Sequence, residues 1–144
     1  MAALSVTATQ VLLVSGPTKT VTFGATVTQG QGLYFDTVAG TWKLAQCDGS
    51  AAEAGADGYG IALSAGSAGQ QGVIALPGAK VNLGAAAAAA AGEIYCIGGT
   101  AGALNPKSEV VTATNKVTPI GLGIGSNAVK VLAEAYDVGA VVPA

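Results

Sequence analysis

In the stretch Thr20-Val21-Thr22-Phe23-Gly24-Ala25-Thr26-Val27-Thr28, apolar residues fall at 21, 23, 25 and 27, with threonine or glycine between them. A period of two puts every apolar side chain on one face of an extended chain, which is the signature of a half-buried strand. The β-branched residues agree with that reading. The same alternation recurs along the chain. Leu4, Val6 and Ala8 alternate with Ser5, Thr7 and Thr9, and Val81 and Leu83 oppose Lys80 and Asn82. Ile94 and Cys96 oppose Tyr95 and Ile97; Ile120, Leu122 and Ile124 alternate with Gly121 and Gly123; Val129, Val131 and Ala133 alternate with Lys130, Leu132 and Glu134. Leu33-Tyr34-Phe35 and Trp42-Lys43-Leu44 flank Asp36-Thr37-Val38-Ala39-Gly40, whose final glycine suits a hairpin turn. Strands at this spacing, cut by glycine-containing turns, predict a mainly β fold: a small antiparallel β-sandwich or barrel.

Helix is confined to one or two short pieces. Ser50-Ala51-Ala52-Glu53 has the form of a capping box, but Gly55 and Gly58 stop it within about two turns. The seven alanines 85–91 lie between Gly84 and Gly92, too short a run for a helix that must stand without packing. A single turn or an extended crossing fits them equally. No linker or long repeat divides the chain. Residues 1–18, ending Ser15-Gly16-Pro17-Thr18, read as an extended N-terminal arm, and 19–144 as a single β-rich domain. Within the arm, Val11-Leu12-Leu13-Val14 is an apolar run that a free tail would not expose. These four residues are the candidate contact with a neighbouring subunit or partner.

Chemistry is limited by what is missing. Of 144 residues, 30 are Ala and 22 are Gly, and the chain has no His and no Arg. Its positive charge is six dispersed lysines, Lys19, Lys43, Lys80, Lys107, Lys116 and Lys130, against eight acids. Without an imidazole, no Ser-His-Asp or Cys-His arrangement can form. Two cysteines supply neither a Cys₄ zinc site nor, with no His or Arg to stabilise it, an activated thiolate. Cys47 and Cys96 read as small buried apolar side chains, and a disulfide would require the fold to bring them together. A net charge of −2 argues against nucleic acid, which is bound by clustered Lys and Arg. The uncharged stretch 58–79 carries six glycines and a proline and does not read as a membrane span. The N-terminus lacks a basic region ahead of its apolar run, so the expectation is a cytoplasmically made protein without an export signal.

Three patterns have a functional and a plainer reading. Gly121-Leu122-Gly123-Ile124-Gly125 lacks the G-x-G-x-x-G spacing of a dinucleotide loop and lies in a strand, where glycines admit another backbone. Asp48, Glu53 and Asp57 lack the spacing of a calcium loop and read as a solvated turn. Tyr34, Phe35 and Trp42 could stack sugars beside a carboxylate pair, but read more simply as hairpin core. Neither an enzyme activity nor a cofactor is expected.

The order of the remaining features resembles one family. GYGIALSAG at 58–66 is followed by QQGVIALPG at 70–78, a small-residue crossing, Gly92-Glu93-Ile94-Tyr95, the turn Gly102-Ala103-Leu104 and the late strand Ile120-Gly121-Leu122-Gly123. The stretch ATVTQGQGLYFDTVAGTWKLAQ, residues 25–46, is similar to the first hairpin of the same family. Together these cover roughly residues 20–133 and resemble the capsid cement, or head decoration, proteins of tailed bacteriophages. The resemblance implies a non-enzymatic virion protein on the capsid exterior that stabilises the expanded head by bridging major capsid protein subunits. A tail or fibre-tip domain contacting the host surface is the alternative. A weakly charged, β-rich chain also favours self-association, as a homotrimer or, failing that, a dimer.

Overall fold

A computed structural model describes residues 4–50, 53–55, 57–84, 87, 89–110, 115–125 and 127–132, with the backbone of 140–141. Thirteen strands are found among them: β1 Leu12–Ser15, β2 Thr18–Thr22, β3 Gly32–Asp36, β4 Thr41–Leu44, β5 Tyr59–Ala62, β6 Gln71–Ala75, β7 Lys80–Asn82, β8 Ile94–Ile97, β9 Leu104–Pro106, β10 Lys116–Val117, β11 Pro119–Gly125, β12 Ala128–Val131 and β13 Ala140–Val141. Six form one antiparallel sheet in the order β1-β7-β12-β11-β8-β9, and five form another in the order β2-β6-β5-β3-β4. β10 and β13 make a separate pair. The fold is the expected mainly β, small antiparallel sandwich. Its helical content, among the described residues, is short 3₁₀ turns such as Ala8–Gln10 and Lys107–Glu109.

The five-stranded sheet carries apolar residues on both faces. Leu33, Ala62 and Ile74 turn inward with Val21, Phe23 and Trp42 to fill a small core of their own. Their neighbours Tyr34, Ile61 and Ala75 point the other way, into a larger core shared with Val81, Tyr95, Ile97, Ile120, Val129 and Val131 of the six-stranded sheet. The second face is buried here because the sheet curls on itself. It curls until its edges meet: Phe23 pairs in parallel with Trp42, and the N–H of Gly24 donates to the Trp42 carbonyl at 2.8 Å. Glycine at 72 makes room inside, because a Cβ there would run into the Phe23 ring. One strap crosses the larger core, where the Tyr59 hydroxyl donates to the Leu132 carbonyl at 2.6 Å.

The 33–44 hairpin forms as expected, with Leu33 opposite Leu44 and Phe35 opposite Trp42. Gly40, at φ +70°, closes its turn. The capping box also forms: Ser50 Oγ accepts from the Glu53 N–H at 3.2 Å, and the Ala54 N–H reaches the Ser50 carbonyl at 3.1 Å. It closes one turn and no helix, because Gly55 follows with φ +92°. Of the alanine run, Ala87 and Ala89 are buried in the larger core, while 85, 86 and 88 lie outside the described residues.

Three strand expectations need correction. The stretch 20–28 is not one strand. Its burial alternates as expected at Val21, Phe23 and Val27, but the ladder to β6 ends at Thr22. The chain then crosses the seam to Trp42 and onward to Gly66, so its partners change while its inward face does not. Residues 4–7 form no strand either. Leu4 donates to the carbonyl of Leu104 in β9, and Thr7 to that of Leu83 beyond β7, so the segment passes across strands rather than alongside one. In β11 a bulge between Pro119 and Gly121 shifts the parity. Ile120 stays in the core, whereas Leu122 is half-buried and Ile124 is 39% exposed. A bulge adds one residue to one strand, and a period of two reverses at every such addition.

Candidate interaction surface

The predicted contact run lies at the edge of the molecule. Leu12 pairs with Asn82 and Leu13 with Val81, so β1 is the outermost strand of the six-stranded sheet. Alternation decides which side chains remain available. Val11 and Leu13 pack against the larger core, joined by Leu4 and Val6. Leu12 is 67% exposed and Val14 57% exposed. The apolar run therefore divides: Val11 and Leu13 hold the segment on the body of its own chain, and Leu12 and Val14 face outward. Ile124 is exposed in β11 of the same sheet. Expectations for 1–3 and for Ala133 and Glu134 fall outside the described residues.

The remaining patterns occupy structural positions. At Gly123 a Cβ would strike the carbonyl oxygen of Ala90, and Gly92 donates to the Gly123 carbonyl at 2.8 Å. The glycines of β11 thus admit the chain leaving the alanine run, as the strand reading expects. Within the acidic loop, Glu53 is engaged with Ser50, and Lys116 Nζ donates to the Gly49 carbonyl at 2.6 Å. No group of three His, Cys, Asp or Glu suited to a metal occurs among the described residues. Trp42 and Tyr34 are buried, and the Phe35 and Trp42 rings lie tilted at 45° with centroids 5.4 Å apart. A groove of about 320 Å³ beside them is lined by Lys19, Phe35, Trp42 and Gln71 among others, with no carboxylate in its described lining. A second groove, about 280 Å³, runs under the N-terminal segment between Val6, Gly30 and Leu104, lined by apolar and neutral polar residues.

Both cysteines are free and buried in the larger core. Burial pushes the Cys96 thiol up to about 12 and raises that of Cys47 as well. A buried, protonated thiol is a poor nucleophile at neutral pH. Burial also raises the Tyr34 hydroxyl, partly offset by Lys43. The clearest charge pair is Lys43 Nζ with Asp36 Oδ2 at 2.8 Å, where Asp36 also accepts from the N–H groups of Val38 and Ala39. That carboxylate is fully used in shaping the hairpin. None of the described helices is long and apolar enough to cross a membrane.

Comparison with family models, with curated proteins and with solved structures returned no match.

Proposed function

We propose that this chain is a structural virion protein of tailed bacteriophages, which binds the outside of the head and cements the expanded capsid by bridging neighbouring major capsid protein subunits. One observation supports the reading above others. The segments that carry the family resemblance form β5, β6, β8, the turn into β9, and β11, so they span both sheets and the core between them. The resemblance thus concerns the whole scaffold and not one glycine-rich loop.

The mechanism asks little of side-chain chemistry. A protein that binds the expanded shell better than its compact precursor shifts the equilibrium toward the expanded state. Each site contributes RT ln(1 + [L]/Kd), about 2.7 kcal/mol at a hundredfold excess over Kd. A copy touching two capsomers gains further from effective concentration. A two-sheet body with exposed apolar side chains at Leu12, Val14 and Ile124 suits that task.

The test compares phage heads with and without the protein, by heating and by chelation. Bare heads should release DNA at lower temperature, and added protein should restore them. Equal stability of bare and decorated heads removes the cement role. Recovery of the protein only in tails would favour the fibre-tip alternative.

A further inference from the structure

Lys80 and Lys130 are direct partners in the pairing of β7 with β12. Directly opposed side chains in an antiparallel pair have Cβ atoms about 5 Å apart, and like charges so placed repel. Both lysines are exposed, and neither has an ion pair or hydrogen bond among the described residues. Two of the chain's six positive charges are therefore held side by side with no acidic partner among the described residues.

Their surroundings are equally specific. The register places Ser15, Lys80, Lys130 and Leu122 in one row across four strands on the outer face of the sheet. Leu122 is half-buried. The neighbouring row begins at Leu12 and passes through Asn82 and Ala128 to the end of β11 beside Ile124. The two ammonium groups thus stand between Leu12 on the β1 side and Leu122 and Ile124 on the β11 side, with Ser15 and Asn82 beside them.

We infer that the outer face of the six-stranded sheet is the docking surface for a protein partner whose matching patch sets carboxylates among apolar side chains, with Lys80 and Lys130 as the recognising pair. Charge selects this occupant. A second copy applied face to face would bring four lysines together. A lipid surface is held by clusters of about four to eight basic residues, and here there are two. A carboxylate between the lysines instead removes the repulsion that the isolated fold carries, while the apolar flanks supply buried area. The inference rests on the decoration reading for the partner's identity, which is then the assembled shell.

The experiment measures binding of purified protein to bare expanded heads, using wild type, Lys80→Glu, the double variant Lys80→Glu/Lys130→Glu, and Lys19→Glu on the other sheet as a charge control. The double variant keeps a like-charge pair, so its melting temperature should stay near wild type while its affinity falls about tenfold or more. Lys80→Glu alone sets opposite charges across the ladder, so it should melt no lower than wild type and still bind more weakly. Lys19→Glu should bind within about twofold of wild type. Wild-type binding to heads with equal binding by the double variant overturns the inference and leaves the decoration reading standing; no wild-type binding overturns both. Affinity that falls only in step with melting temperature also overturns the inference. So does a changed oligomeric state of the free variants, which would seat a second copy on this face, or reversal-sensitive binding to phosphatidylserine vesicles, which would seat a lipid surface there.

Discussion

Phe23 and Trp42 face each other in parallel register across the seam of the five-stranded sheet, although every named strand pair in the two sheets is antiparallel. This contact turns an open sheet into a closed one, and Phe23, with no exposed surface, fills what it encloses. Phe23→Ala should therefore cost about 3–5 kcal/mol, the range for removing a buried aromatic ring. Gly72→Ala should cost about 1–3 kcal/mol through overpacking against that ring. Urea unfolding of both variants checks this, and a loss under about 1 kcal/mol for Phe23→Ala would mean the seam is not packed as described.

The Asp36 carboxyl is held below its ordinary range, first by the Lys43 hydrogen bond and then by the Ala39 N–H. A depressed folded value means that the unfolded chain binds more protons in the acid range, so stability rises with pH there. The contribution is present above the unfolded carboxyl value of about 4 and is lost as pH falls through the folded one. Asp36→Asn keeps an acceptor for the turn but removes the charge. Melting profiles between pH 2 and 7, in roughly the range where carboxyls titrate, should show a shallower acid limb in the variant. The difference should shrink in high salt, because the pair lies at the surface.

The two thiols should be silent in the folded protein. An aromatic disulfide reagent attacks thiolates, and burial holds Cys47 and Cys96 protonated and covered. At pH 8, near the ordinary thiol value, the native chain should release no chromophore, and the chain in denaturant should react at both cysteines. Rapid reaction without denaturant would show a core that opens easily.

Removing residues 2–16 should weaken the fold as well as any attachment. Their apolar side chains Leu4, Val6, Val11 and Leu13 cover the larger core, and Leu13 belongs to a strand. The truncated chain should melt well below the full one. Leu12→Ser and Val14→Ser, changing only exposed side chains, should leave melting nearly unchanged while reducing head binding. Truncation without thermal cost would return this segment to the status of a separate arm.

Much of this architecture is legible in local pattern. The hairpin around Asp36 and Gly40, and the inward Val129 and Val131 against the outward Lys130, follow from alternation and turn chemistry. Events that leave no local trace are not legible. Nothing near Ile120 announces a bulge, and one added residue sends Leu122 and Ile124 to the opposite face. Nothing in 20–28 tells that its hydrogen-bond partner changes after Thr22. The candidate surface divides in the same way. The outward direction of Lys80 and of Lys130 is readable within each strand, but their adjacency belongs to the register between strands 48 residues apart in mean position, roughly the distance over which no local rule reaches.

The irregular pairing of β1 has a consequence for how the protein survives at high concentration. An uninterrupted outer strand offers a template on which further chains can polymerise into fibrils. Here the ladder slips between Leu13 and Ser15 after two regular pairs. At the opposite margin, Leu4 already donates to the Leu104 carbonyl of β9. Among the described residues neither margin presents a long flat row of vacant backbone groups, so a chain this apolar lacks the usual template for cross-β growth.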